Sequence, residues 1–341
     1  MARARTHVTA NPVLVEVSRG PVVESRHRGA AVVVDADGAV VASWGDIDRP
    51  MVPRSAVKPL QAMAMVECGG AEKFALSDVE LALACASHGG QPRHVAAVSN
   101  WLSRLGLGAE DLVCGGHAPL HADAAWALAA RGEKPSALHD NCSGKHTAML
   151  SAALAMGVPT AGYERPDHPV QRRIVDILGA MSGAEIDPGD TGVDGCGAPT
   201  HAMPLVALGR AMARFGAPDK LGAARAAAAR RLAAAMTAAP DMVAGDGRFD
   251  SLFMTAAPRI IVKGGAEGVH AAAFPARRLG IAVKIDDGAT RAAEALMAAL
   301  LDRFVGFQSR ERRALARWLE PVVRSRTGEP VGRLNVMIEK D

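Results

Sequence analysis

In the stretch "VPRSAVKPL" (52–60), Ser55 stands three residues before Lys58, and Pro59 follows the lysine directly. A hydroxyl and an amine at that spacing are the minimum for an activated serine nucleophile. A neutral lysine takes the serine proton, and the alkoxide then attacks an acyl carbon. Positions i and i+3 share one face of a helix. Pro59 suits only a first helical turn, where the backbone N–H has no intrahelical partner. The couple is therefore predicted at a helix start near residue 55, where the helix dipole favours an alkoxide and disfavours a charged lysine. S-x-x-K alone is a weak signal, since most such matches are surface accidents. A second lysine raises its weight. In "RIIVKGGAEGV", Lys263 ends an apolar strand-like run, and Gly264 and Gly265 after it let a substrate approach the backbone closely. A lysine there could polarise a serine or hold a carboxylate.

Two further stretches carry thiols among glycines and polar residues. "HDNCSGKHTAML" (139–150) holds Cys142, Lys145 and His146, and "GVDGCGAPTHAMPL" (192–205) holds Asp194 and Cys196. Three uses stay open: a metal site on the two cysteines, a catalytic cysteine with His146 or His201 as base, and turn cysteines packed under loops. No C-x-x-C pair or standard zinc-type histidine spacing occurs. Cys68 and Cys85 lie in apolar helical stretches and are expected in the core. An odd count of five cysteines argues against a disulfide framework.

The elements that must position these residues are readable from periodicity. Residues 13–44 read as two or three antiparallel strands, with Asp37-Gly38 as a hairpin turn. Helices are expected over "VKPLQAMAMVEC", after a Ser77–Glu80 capping box and stopping near Ser87, over 92–106, and at about 123–131, 145–156, 167–181, 203–215 and 220–238. Strands return at 259–265, "GVHAAAFP" and 279–288, followed by the amphipathic helix "ATRAAEALMAALLDRF". This order predicts an α/β (α+β) protein with one sheet built from both chain ends. The sheet lobe would cover about 10–55 and 255–341, and a helical lobe about 56–254, as one catalytic unit over 1–341. The chain is 49% hydrophobic over 341 residues, enough for such a core. The net charge of +3 is scattered; "MARAR" and "ERRALAR" are the densest basic spots and lack interleaved aromatics, so nucleic-acid binding has little support. No run of about eighteen apolar residues and no leader-type apolar segment occurs, so a cytoplasmic protein without a membrane partner is expected.

The order S-x-x-K, a serine after a helix, then K-x-G on a late strand resembles the serine β-lactamase and penicillin-binding-protein fold. Lys263-Gly264-Gly265 carries glycine where that pattern has threonine, and the "SHGG" around Ser87 differs from S-D-N. The second departure argues against a true β-lactamase and toward a relative that cleaves a different amide. Six separated pieces together, "PRSAVKPLQA", "ACASHGG", "CGGHAPL", "DNCSGKHTAML", "DGCGAPTHAMPL" and "IIVKGGAEGVHA", resemble the thermolabile, rhizobial-type L-asparaginases of the L-asparaginase II family. The pieces follow the family's order, and the resemblance covers about residues 10 to 290.

That resemblance implies a β-lactamase-like fold, a homodimer, and hydrolysis of L-asparagine to L-aspartate and ammonia. It implies two catalytic couples, Ser55 with Lys58 and Ser87 with Lys263, with Ser55 favoured as the acylated serine. It also implies a zinc ion on Cys142, Cys196 and Lys145 that aids substrate binding more than chemistry. Arg54, Asp194 and His146 match residues lining that site; Arg54 suits a substrate carboxylate and Asp194 an α-amino group. Where the family reads S-H-S-G-E, this chain has Ser87-His88-Gly89-Gly90-Gln91. The rivals are a glutaminase or other serine amidase or β-lactam hydrolase, and a non-catalytic zinc-binding homologue. The T-G-G-T signature and a self-processing Gly-Thr are absent, which disfavours threonine-based asparaginase mechanisms.

Overall fold

The β-branched runs at the two ends of the chain meet in one antiparallel sheet. The structure is a computed structural model that describes residues 10–338; the basic segment "MARAR" lies outside them. Val13–Arg19, Val22–Asp35 and Val40–Trp44 form the expected opening meander. The Asp35 carboxylate closes the hairpin by accepting the N–H groups of Asp37 and Ala39, each at 2.9 Å. The late strand Leu279–Ile285 pairs antiparallel with Val22–Asp35, Ile281 opposite Val33. Val269–Phe274 and Ile261–Gly264 follow it outward.

Along the other direction the sheet continues through Val13–Arg19 to Pro330–Val336 and Val322–Arg324, eight strands in all with Val40–Trp44. The expected α/β class is present, with helices between the two groups of strands. Lys58–Glu67, Asp78–Ala84, Pro92–Arg104, Ala122–Ala130, Ser143–Met156, Pro169–Ser182, Leu205–Gly216 and Ala223–Ala238 sit close to their predicted places.

Two parts differ from the sequence expectation. The chain does not end on the helix Thr290–Val305; a second helix, Ser309–Leu319, and the last two strands follow. Pro330–Val336 is half-exposed on both faces, so it lacks the period-two signal that marks a half-buried strand. The middle of the chain is also not purely helical. Pro50–Met51 pairs with Met203–Pro204, and Thr191–Val193 with Pro199–His201.

Alternation along Val22–Asp35 explains how the layers join. Ala30, Val32 and Val34 pack into the core shared with the helical segment. Ala31 and Val33 pack on the opposite side, against Leu296 and Met297 of Thr290–Val305. The "ERRALAR" segment lies on Ser309–Leu319, where Glu311 and Arg312 pair with Arg259 and Asp302. No helix among the described residues is long and apolar enough to cross a membrane.

Candidate active site

The chain enters the site along the short strand Pro50–Met51 and turns sharply. Arg54 adopts φ +50°, an uncommon left-handed value for a side-chain-bearing residue, directly before Ser55. Arg54–Val57 is a 3-10 turn, and the α-helix begins only at Lys58. The helix start therefore falls three residues later than expected, with Pro59 in its first turn as predicted. Lys58 points inward and is 1% exposed. Its Nζ donates to Ala86 O at 2.6 Å, Ser87 Oγ at 3.0 Å and Asn141 O at 3.5 Å.

The couples thus differ from those implied by the resemblance. Lys58 meets Ser87, and no hydrogen bond joins Ser55 to Lys58 or Ser87 to Lys263 among the described residues. The physical reason lies in the neighbouring helix. Glu80 accepts the Ser77 N–H at 2.8 Å to start it, but it stops at Ala84. The irregular chain after it turns the Ala86 carbonyl and the Ser87 hydroxyl toward Lys58. Ser87 N donates to Val243 O at 2.9 Å, which fixes that turn.

Lys263 is fully buried at the end of Ile261–Gly264. Its Nζ donates to Gly264 O at 2.6 Å and meets Asp250 Oδ2 at 3.4 Å. Burial lowers its pKa to about 8, against the raising effect of Asp250 and with help from the Lys58 charge. Asp250, 5% exposed, also accepts the Gly264 N–H at 2.9 Å and meets His270 Nε2 at 2.9 Å. Burial pushes its carboxyl up, but Lys263, His270 and that N–H outweigh burial and hold it well below the usual carboxylate range. Asp250 carried no sequence signal. It sits in the unpredicted short helix Phe249–Ala256, and its role depends on contacts 13 and 20 residues away.

Ser55 and Ser87 line one cavity of about 210 Å³, together with Asn141, Arg248, Glu294 and the turn around Gly264–His270. Gly265 brings the two sides together. A Cβ there would lie 2.8 Å from Pro53 O and 3.2 Å from Ala56 N, so only glycine lets the strand end pack on the serine turn. The N–H groups of Gly264 and Gly265 are already used, by Asp250 and by Val269 O. Those of Ser55 and Ala266 have no acceptor among the described residues. The Ser55 hydroxyl, half-buried, also has none.

The thiols form a separate cluster. Gly144 lets the helix Ser143–Met156 press on Asp78–Ala84, since a Cβ there would lie 2.3 Å from Leu83 O. Lys145 on that helix donates to Cys196 Sγ at 2.9 Å. A hydrogen bond from Cys142, opposed by burial and reinforced by Lys145, draws the Cys196 thiol down to about 5. The same bond, with burial, pushes Cys142 up to about 11. Cys142 also faces Asn141 Oδ1 at 3.0 Å. The Lys145 charge beside Cys196 is opposed by burial, and the two sulfurs outweigh it.

Arg54 pairs with Asp194, Nε and Nη2 at 2.9 and 2.8 Å from Oδ1. His146 Nδ1 meets Tyr163 OH at 2.7 Å, while its buried Nε2 has no partner. None of Arg54, Asp194, His146, Cys142, Lys145 or Cys196 lines the serine cavity; Asn141, next to Cys142, is the wall between the two.

The cluster fits a thiophilic divalent ion such as zinc. Two sulfurs, one of them drawn toward its thiolate form, and an amine converge, and the residue after Lys145 carries an unsatisfied imidazole nitrogen. Among the described residues, no group of three or more His, Cys, Asp and Glu side chains could hold a metal by itself, so Lys145 is essential to that fit. The remaining cysteines behave as expected for packing: Cys85 is buried and Cys68 half-buried, and all five thiols are free.

Among solved structures, a β-lactamase from Mycobacterium bovis is similar at 15% identity, covering 81% of this chain and 94% of that one, with a TM-score of 0.41. The native form of a protein named Mglu shares 16% identity over 87% of this chain and 69% of its own, TM-score 0.46. A D-alanine carboxypeptidase, AmpC, from Burkholderia cenocepacia shares 15% over 80% and 93%, TM-score 0.40. No curated protein matches the sequence. The pattern of one family, L-asparaginase II, matches residues 15–336, nearly the whole sequence. The chain therefore belongs to the L-asparaginase II family.

Proposed function

We propose that this protein is an amidohydrolase of the rhizobial, thermolabile type that converts L-asparagine to L-aspartate and ammonia through Ser55. The carrying observation is the shared cavity of Ser55 and Ser87, with the Lys58 amine 3.0 Å from Ser87 Oγ. Ser55 has a free hydroxyl on a strained turn, and its own N–H and that of Ala266 are unclaimed among the described residues. Those two N–H groups are the proposed oxyanion donors. Ser55 Oγ attacks the side-chain amide carbon. Its proton passes by way of the Ser87 hydroxyl to the Lys58 amine, which must first have given up a proton of its own and then accepts from Ser87 Oγ instead of donating to it. The C–N bond then breaks, the proton taken up by Lys58 passes back to the departing nitrogen, and ammonia leaves. Water hydrolyses the aspartyl ester and returns the proton to Ser55. Lys263, held by Asp250 and lowered to about 8, is the second amine of the site and exchanges a proton near neutral pH.

Zinc would be held by Cys142, Cys196 and Lys145, displacing protons from Lys145 and Cys142. When bound it supplies a fixed positive charge that ties the Asn141–Cys142 turn to the Asp194–Cys196 loop. Arg54, Asp194 and His146 flank this cluster, and their contribution to substrate binding is proposed to be exerted through it. A homodimer in the cytoplasm completes the proposal; light scattering of the purified protein checks the assembly.

The test is ammonia release from L-asparagine and L-glutamine and the colour change of a chromogenic β-lactam on ring opening, with metal content measured on the same sample. Asparagine as preferred substrate supports the proposal. Glutamine or β-lactam preference assigns the site to a rival amidase, and bound zinc with neither ammonia release nor ring opening assigns it to a non-catalytic homologue.

A further inference from the structure

The serine cavity carries charges that the hydrolytic steps leave unused. Arg248 lines it from the residue before the helix Phe249–Ala256. The side chain is exposed, and its guanidinium has no hydrogen-bond or ion-pair partner among the described residues. Glu294 lines the same cavity from Thr290–Val305. Its Oε2 accepts from Trp318 Nε1 at 2.9 Å, and Oε1 has no partner among the described residues. The two groups form no ion pair with each other. The other arginine near Ser55, Arg54, is already neutralised by Asp194 and lies outside the cavity.

Both charges are braced. Gln91 Nε2 donates to Asp246 Oδ2 at 2.8 Å, and Asp246 N donates to Gln91 Oε1 at 3.0 Å, which anchors the loop two residues before Arg248. A glutamate at position 91 could not donate to that carboxylate. Trp318 is buried and fixes the Glu294 carboxylate from behind. Opposite charges that face one small cavity without cancelling each other complement a zwitterion. At about 210 Å³ the cavity falls below the roughly 300–1,000 Å³ of drug-sized sites, which suits a small amino acid.

We propose that Arg248 and Glu294 are the specificity-determining pair of this cavity, Arg248 receiving the α-carboxylate and Glu294 the α-ammonium of an amino-acid amide. The amide part rests on the amidohydrolase proposal; the recognition of the zwitterion does not. A guanidinium offers two parallel donors to a carboxylate, which an ammonium cannot match.

Calorimetric titration with L-aspartate, β-alanine and succinate separates the two charges, because β-alanine lacks the α-carboxylate and succinate the α-ammonium. Wild type is expected to bind L-aspartate more tightly than either fragment. Arg248→Gln should weaken L-aspartate at least about tenfold and leave β-alanine within about twofold. Arg248→Lys should fall between. Glu294→Gln, which keeps an acceptor for Trp318, should weaken L-aspartate and leave succinate unchanged. Equal loss of all three ligands, no loss of any, or no L-aspartate binding by wild type overturns the pair. L-aspartate binding that obeys these rules without ammonia release from L-asparagine sinks the hydrolase proposal alone. Ammonia release with unaltered ligand preference in the variants sinks this one alone.

Discussion

The serine cavity and the thiol cluster meet at Asn141 and Cys142, yet they are satisfied in opposite ways. In the cluster every group has found another: Lys145 with Cys196, Cys196 with Cys142, Arg54 with Asp194. Only His146 Nε2 is left over. In the cavity the Ser55 hydroxyl and N–H, the Ala266 N–H and the Arg248 guanidinium all face open volume without partners among the described residues. Groups left open around one small cavity are available to a ligand. The cluster, closed on itself, is suited to holding a metal and two loops in place. On the proposed reading, chemistry belongs to the cavity and support to the cluster.

Substitutions can break that division. Ser55→Ala should lower kcat for asparagine by about 10⁴-fold or more while the melting temperature stays put. Retention of near-normal turnover would remove Ser55 from the mechanism. Gly265→Ala is expected to cost about a hundredfold in kcat/KM. The added methyl meets Pro53 O and Ala56 N and pushes the Ala266 N–H off the serine turn; overpacking of this kind costs about 1–3 kcal/mol of stability. An unchanged kcat/KM in that variant would place the oxyanion donors elsewhere. Cys142→Ala and Cys196→Ala should each abolish zinc retention, read by elemental analysis, but cost only about tenfold in activity, mostly in KM. A loss as large as that of Ser55→Ala would merge the two regions into one reacting centre.

The smallest expected effect sharpens the role of Lys263. Its pKa of about 8 places the neutral amine above that pH, so kcat/KM should rise with pH through about 8. Asp250 raises that pKa, so Asp250→Asn should move the rising limb to lower pH; a limb that stays put excludes Lys263 from the titration. The sign for stability follows from the same shift. The folded pKa lies below the roughly 10.4 of a free lysine, so between about 8 and 10.4 the unfolded chain binds more protons. The lysine's cost to folding is then full below about 8 and disappears as pH climbs through that window.

Local patterns made much of this legible in advance. The Ser77–Glu80 cap, the Asp37-Gly38 turn and the strand ending at Lys263 all depend on neighbours within a few residues, and each is where periodicity placed it. The choice of partner for Lys58 was not legible, because it is made across 29 residues of sequence, after a helix that ends earlier than its glycines suggest. Asp250 was hidden for the same reason. The last strand was hidden by its half-exposed faces, and Arg248 and Glu294, 46 residues apart in sequence, become a pair only when the cavity closes around both.

The most direct measurement is the site of acylation. Rapid acid quench of the enzyme turning over L-asparagine, followed by peptide mass spectrometry, should find one aspartyl group on the peptide that contains Ser55. An aspartyl group on the Ser87 peptide instead, or steady ammonia release with neither peptide modified, would contradict the account.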